Sequence, residues 1–159
     1  MIPIAPIFVR SKEILEKLSL LLDDERLAYG EVNSQTILSL SEQKQTLLDE
    51  MNQLNEKRVN VLIKFDIVDR KNPTEEAFKK WLSLQDSSMD NVRLLMQECD
   101  TLLRQCKTKN NTNARILNTL QKRNKHLFEL LQGHNSKNKV YTARGSTRPI
   151  SSKHTLGRA

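Results

Sequence analysis

Apolar residues recur along this chain at steps of three and four, the spacing that gathers them on one face of a helix. Prolines stand at positions 3, 6, 73 and 149, so more than sixty residues after Pro6 are free of the strongest helix breaker. Two helices fit in that interval. The first is expected over residues 11–29, with Ser11 as N-cap, Ile14, Leu15, Leu18, Leu21, Leu22 and Ala28 on one side, and Gly30 as the stop. The second is expected over residues 34–66. Its seam of Ile37, Leu40, Lys44, Leu47, Met51, Leu54, Arg58, Val61 and Phe65 alternates strictly between steps of three and four, which is coiled-coil spacing. At Asn72-Pro73-Thr74-Glu75 a capping side chain precedes proline at a first helical position. A short helix over residues 74–85 follows, holding Phe78, Trp81, Leu82 and Leu84, with Trp81 expected to plug the end of the core.

The third long helix is expected over residues 88–132, with the seam Val92, Leu95, Cys99, Leu102, Cys106, Lys109, Asn113, Ile116, Leu120, Arg123, Leu127 and Leu130, closed by Gly133. The fold class is therefore all-α: an elongated antiparallel three-helix bundle or coiled coil with a short connecting helix. Residues 1–133 form the helical domain, and residues 134–159 a flexible basic C-terminal tail rich in Ser, Thr, Asn and Lys. At about 1.5 Å per residue, the second helix would be about 50 Å long and the third about 65 Å. Laid antiparallel, the third outruns the second near residue 119 or 120, leaving Leu120, Leu127, Phe128, Leu130 and Leu131 poorly covered. Such a stripe awaits a partner helix, a second copy of the chain, or the tail.

Composition agrees with packed helices. Aromatic residues make up 4% of the 159, while glycine and proline number 4 each, too few turn-formers for a barrel or sandwich and too little glycine for a phosphate cradle. No apolar run approaches a membrane span, and the N-terminal stretch lacks the pattern of a secretory signal, so a cytoplasmic location is expected. The formal charge of +7 is local to one end. Residues 1–98 carry 13 Lys+Arg against 17 Asp+Glu, residues 99–133 carry 7 against 2, and residues 134–159 carry 6 against none.

Candidate chemistry is sparse. Cys99 and Cys106 lie seven apart on one helix, about 10 Å along its axis, too far for a disulfide, and no histidine at helical spacing makes them a metal site. His126, His134 and His154 imply no base geometry, and Asp23-Asp24-Glu25 and Glu75-Glu76 sit where solvated faces or helix starts would place them. With no nucleophile elbow, HExxH or glycine-rich loop, neither an enzyme nor a cofactor or small-molecule substrate is expected. Lys44, Arg58, Lys109, Asn113 and Arg123 interrupt the seams. They either snorkel to water or, for the last three, hydrogen-bond a docking helix. The basic tail could clamp phosphates, but Tyr141 is its only aromatic and no recognition helix precedes it.

Dispersed motifs then narrow the reading: Leu21-Leu22-x-x-Glu25, Lys44-x-x-x-Leu48 with Arg58, Trp81-x-x-Leu84, Asn110-x-x-Asn113, Asn124 with Leu131-x-Gly133, and Tyr141-x-x-x-Gly145. In this order the sequence resembles the FlgN family of bacterial flagellar export chaperones over nearly all its length, with Ala114 standing where many members carry glycine. The resemblance implies a cytoplasmic chaperone, working stoichiometrically without ATP, for the hook–filament junction proteins FlgK and FlgL. It also implies delivery to the export gate protein FlhA, without membrane insertion and without nucleic acid. The client site expected on this basis is Asn113, Ile116, Leu117, Leu120, Arg123, Asn124, Leu127, Phe128 and Leu131, gripping an amphipathic C-terminal helix, with Tyr141 as the gate-docking residue. Two alternatives stay open: a coiled-coil adaptor that self-associates through the stripe, and a nucleic-acid-binding protein using its cationic end.

Overall fold

The structure, a computed structural model, describes residues 2–132, 139–141 and 147–149. Its helices are α1 (Ala5–Glu31), α2 (Ser34–Lys64), α3 (Glu75–Ser83) and α4 (Asp90–Leu131), the last entered through a single 3-10 turn at Ser87–Met89. The fold is an all-α bundle. In the tail, β1 (Lys139–Tyr141) pairs antiparallel with β2 (Thr147–Pro149). The rest of the stretch expected to be flexible lies outside the described residues. The chain divides into two compact units, Met1–Ala114 and Arg115–Ala159.

In the first unit the direction of each helix can be read from its polar contacts. Arg10 meets Glu50 at 2.9 Å and Glu25 meets Lys44 at 3.2 Å, which sets α1 antiparallel to α2. Lys12 meets Glu98 at 2.8 Å and Asp23 meets Lys109 at 2.6 Å, which sets α1 parallel to α4. The helices thus run up, down and up, with α3 and its flanking loops making the return. The core gathers Ile4, just ahead of α1, and Phe8, Leu15, Leu18 and Leu22 of α1 with Leu62 of α2, Phe78 and Leu82 of α3, and Val92, Leu95, Cys99 and Cys106 of α4. Phe8, Phe78 and Trp81 stack in series, each pair of ring centroids 6.1 Å apart. The half-buried Trp81 closes that end of the core, as its position in the sequence led one to expect.

Helix α1 starts at Ala5, six residues before the expected N-cap at Ser11. Pro6 lies in the first turn, where its missing N–H has no intrahelical partner to lose. The early start buries Ile4 and Phe8, at 0% and 2% exposure, and that burial outweighs the side-chain cap Ser11 would supply. The helix also runs past Gly30 to Glu31. Val32 ends it in the left-handed region, φ 54°, and the N–H groups of Val32 and Asn33 return to the Tyr29 and Ala28 carbonyls. Asn33 then caps α2, its Oδ1 accepting from the Thr36 N–H at 3.1 Å.

The cap of α3 is Thr74 rather than Asn72: the Ala77 N–H donates to Thr74 Oγ1 at 3.2 Å, and Pro73 stays outside the helix. At the other end of α3, Arg93 reaches back from α4. Its Nη2 donates to the Leu82 and Gln85 carbonyls at 2.8 and 2.6 Å and its Nη1 to the Asp86 carbonyl at 3.2 Å, while Asp90 also pairs with it. One guanidinium therefore ties the Leu82 carbonyl near the end of α3 to those of Gln85 and Asp86 in the loop that follows it.

The α2 seam faces the bundle, but loosely. From Ile37 to Val61 its members are half-buried, Phe65 is exposed, and the only fully buried residue of α2 is Leu62, off the seam. Arg58 does not simply reach for water. Its guanidinium carbon lies 5.8 Å from the centre of the Phe8 ring and Nη2 donates to Asn55 Oδ1 at 2.8 Å.

Candidate functional site

Along the α1–α4 contact, small or polar side chains of α4 meet the backbone of α1 once every heptad. Cys99 Sγ donates to the Phe8 carbonyl at 3.5 Å, Cys106 Sγ to the Leu15 carbonyl at 3.4 Å, and Asn113 Nδ2 to the Leu22 carbonyl at 2.8 Å. A leucine at any of these three positions would hold the helices further apart. The cysteines are free and buried, and burial pushes both thiols above their usual range. As neutral thiols they act as spacers and weak donors.

The last rung of this ladder is the centre of a buried polar cluster. Asn113 is 1% exposed; its second amide hydrogen goes to Glu25 Oε2 at 2.8 Å, and its Oδ1 accepts from Arg26 Nε at 3.2 Å. Glu25, 5% exposed, also takes Lys44 Nζ of α2 at 3.2 and 3.3 Å. Tyr29, one turn on, has its phenol pushed up to about 12, first by burial and then by the charge of Glu25 and a hydrogen bond to it. Beside the cluster, Lys109 Nζ donates to Ser19 Oγ at 2.9 Å, to the Ser19 carbonyl at 3.2 Å and to Asp23 at 2.6 Å. These partners on three helices fix the register of the first unit at this level.

This overturns one expectation. Asn113, expected on the client surface, spends both its donors inside the bundle, and its amide has no access to a docking helix. Lys109, expected to snorkel or to meet a client, is likewise held by α1. Sequence reasoning found Glu25, Lys44 and Asn113 as separate motif residues but missed that they meet. Acid, base and amide at seam positions of three different helices were the available signal. Ala114 is exposed, so its methyl group lies away from this packing.

The remaining candidates belong to the second unit. Ile116, Leu117 and Leu120 are half-buried, whereas Arg123, Asn124, Leu127, Phe128 and Leu131 are exposed. Leu127 is 56% exposed, Phe128 61% and Leu131 87%, and Leu130, left out of the expected site, joins them at 43%. All lie along one side of the final turns of α4, so the apolar stripe read from the seam is present on the surface. The side chain of Tyr141 lies outside what is described, only its backbone being placed in β1.

Elsewhere in the first unit an open groove of about 430 Å³ lies between α1 and α2, lined by Leu20, Leu40, Leu47, Lys17 and Asp24 among others. Among the described residues no cluster of His, Cys, Asp and Glu could hold a metal ion, and no helix is long and apolar enough to cross a membrane.

Comparison with known proteins gives one finding. No curated protein and no solved structure matches the chain. A family model described as FlgN protein matches residues 4–149, which takes in all four helices and both paired strands of the tail. By that match the chain belongs to the FlgN family of flagellar export chaperones.

Proposed function

We propose that the final turns of α4 hold an amphipathic C-terminal helix of the hook–filament junction proteins FlgK and FlgL in the cytoplasm. Bound in this way the client stays unassembled until the chaperone delivers it to the export gate protein FlhA. The supporting observation is the stripe of Leu127, Phe128, Leu130 and Leu131, apolar side chains that stand in water on a helix and are continued by half-buried Ile116, Leu117 and Leu120. Five such side chains, each burying half of its apolar payload, contribute roughly 5 kcal/mol before ordering costs, so further client contacts are needed for micromolar binding. In this reading residues 1–133 are the chaperone domain and residues 134–159 a basic tail in which Tyr141 docks at the gate. No step in it calls for a cofactor.

The test is calorimetry of the full chain with the C-terminal segment of a junction protein from the same cell. Leu127→Glu combined with Leu131→Glu alters only exposed side chains, so helicity should persist while client binding is lost. Unchanged affinity in that variant would refute the reading. Sedimentation over a range of concentrations separates the adaptor alternative, in which the same stripe is covered by a second copy and the dimer falls apart in the variant.

A further inference from the structure

The charges around the stripe carry an inference about what it selects, and this rests on the chaperone reading above. Residues 115–132 contain Arg115, Lys122, Arg123 and Lys125 against the single acid Glu129. In the first unit some cations find carboxylates, as Lys12 does on Glu98, Lys44 on Glu25 and Lys109 on Asp23, while others, such as Lys57 and Lys107, make no direct ion pair among the described residues. Among the described residues, none of these four has an ion-pair partner. On a helix of 3.6 residues per turn, Arg123 and Asn124 fall within the arc bounded by Leu130 and Phe128, inside the apolar face.

We propose that the helix captured by this stripe carries acidic side chains beside its apolar face, and that Arg123 discriminates for them. A helix laid along Leu120, Leu127 and Leu131 would strip water from the Arg123 guanidinium, which is costly unless a carboxylate replaces the lost hydrogen bonds. A client acid at the facing position supplies them. Lys122 and Arg115, nearer the solvent side, add attraction that speeds encounter and fades with salt. The same charges disfavour two other occupants. A second copy of this stripe would bring four cations against four with one acid on each side. The hydrocarbon of a bilayer would accept the leucines but answer neither the guanidinium nor the Asn124 amide in mid-face.

The experiment titrates the same junction-protein segment into the full chain as wild type, as Lys122→Glu with Arg123→Glu, and as Leu127→Glu with Leu131→Glu, each at low and high salt. The charge variant should bind about tenfold more weakly at low salt, the difference shrinking as salt is added, with helicity by circular dichroism unchanged. If it binds like wild type at both salts while the leucine variant is dead, the acid-flanked client is wrong and the chaperone reading survives. Wild-type affinity in the leucine variant as well removes the chaperone reading and this inference with it. Co-sedimentation with phosphatidylglycerol vesicles that depends on Arg123, alongside charge-insensitive client binding, would assign the cations to lipid and also overturn the proposal.

Discussion

Asn113 of α4 donates its amide to the backbone carbonyl of Leu22 of α1 at 2.8 Å, and Cys106 meets Leu15 and Cys99 meets Phe8 at the same sequence separation of 91 residues. A constant separation means that the two helices stay parallel and in one register over the whole contact. The thiol rungs are weak hydrogen bonds, so specificity falls to the last rung, where Asn113 also binds Glu25.

Replacing Asn113 with alanine should therefore destabilise the first unit by about 2 to 3 kcal/mol, because Glu25 would lose a donor while staying out of water. Urea denaturation followed by circular dichroism measures this. The folded fraction of the variant should bind client as wild type does. Intact stability with client binding abolished would instead return Asn113 to the client surface.

The helix pattern was legible in the sequence because a seam at steps of three and four leaves little choice of conformation, and α2, α3 and α4 begin and end within two residues of expectation. The start of α1 was not. Ser11 offers a local capping signal, whereas the worth of burying Ile4 and Phe8 depends on Phe78 and on α4, which no local window contains. The place of Asn113 is ambiguous in the sequence for the same reason. A polar residue on a seam looks alike whether it meets a client or a buried carboxylate, and only the folded register brings Glu25 and Lys44 to it. The exposed stripe was legible because the seam continues through Leu127 and Leu130, beyond the point where the expected second helix would cover it.

Arg93→Ala should loosen the return between α3 and α4. The guanidinium serves the Leu82, Gln85 and Asp86 carbonyls together, and charge-assisted hydrogen bonds of this kind put its removal at about 2 kcal/mol of stability. Lysine at this position could satisfy fewer of those acceptors and should recover only part of the loss. Thermal melts of the three proteins would check the order, and equal melting temperatures would show that water replaces the guanidinium without penalty.

Val32 is a β-branched residue held at φ 54° and 66% exposed, so it carries strain without compensating burial. Val32→Gly should stabilise the chain by about 1 kcal/mol, since glycine occupies the left-handed region freely and little apolar contact is lost. The gain is net of the greater freedom glycine has in the unfolded chain. A denaturation midpoint that falls rather than rises would show that Val32 contributes packing which its exposure hides.

Tyr29 links the buried cluster to pH. Its folded-state value of about 12 lies above the ordinary phenol value near 10, so between those two pH values the native state holds a proton that the unfolded chain has released. The contribution of the neutral phenol is fully present below about pH 10 and is lost as pH rises through about 12, an order of 2 kcal/mol across the window. Lysines titrate in the same range, so the measurement is the difference between wild type and Tyr29→Phe in denaturation series from pH 9 to 12, on the order set by those phenol values. Phenylalanine keeps the ring in the core but has no proton to lose, so its series should fall less steeply. Parallel curves would mean that the Tyr29 phenol ionises in the folded protein as readily as in the unfolded chain, and that neither burial nor the Glu25 carboxylate holds its proton in place.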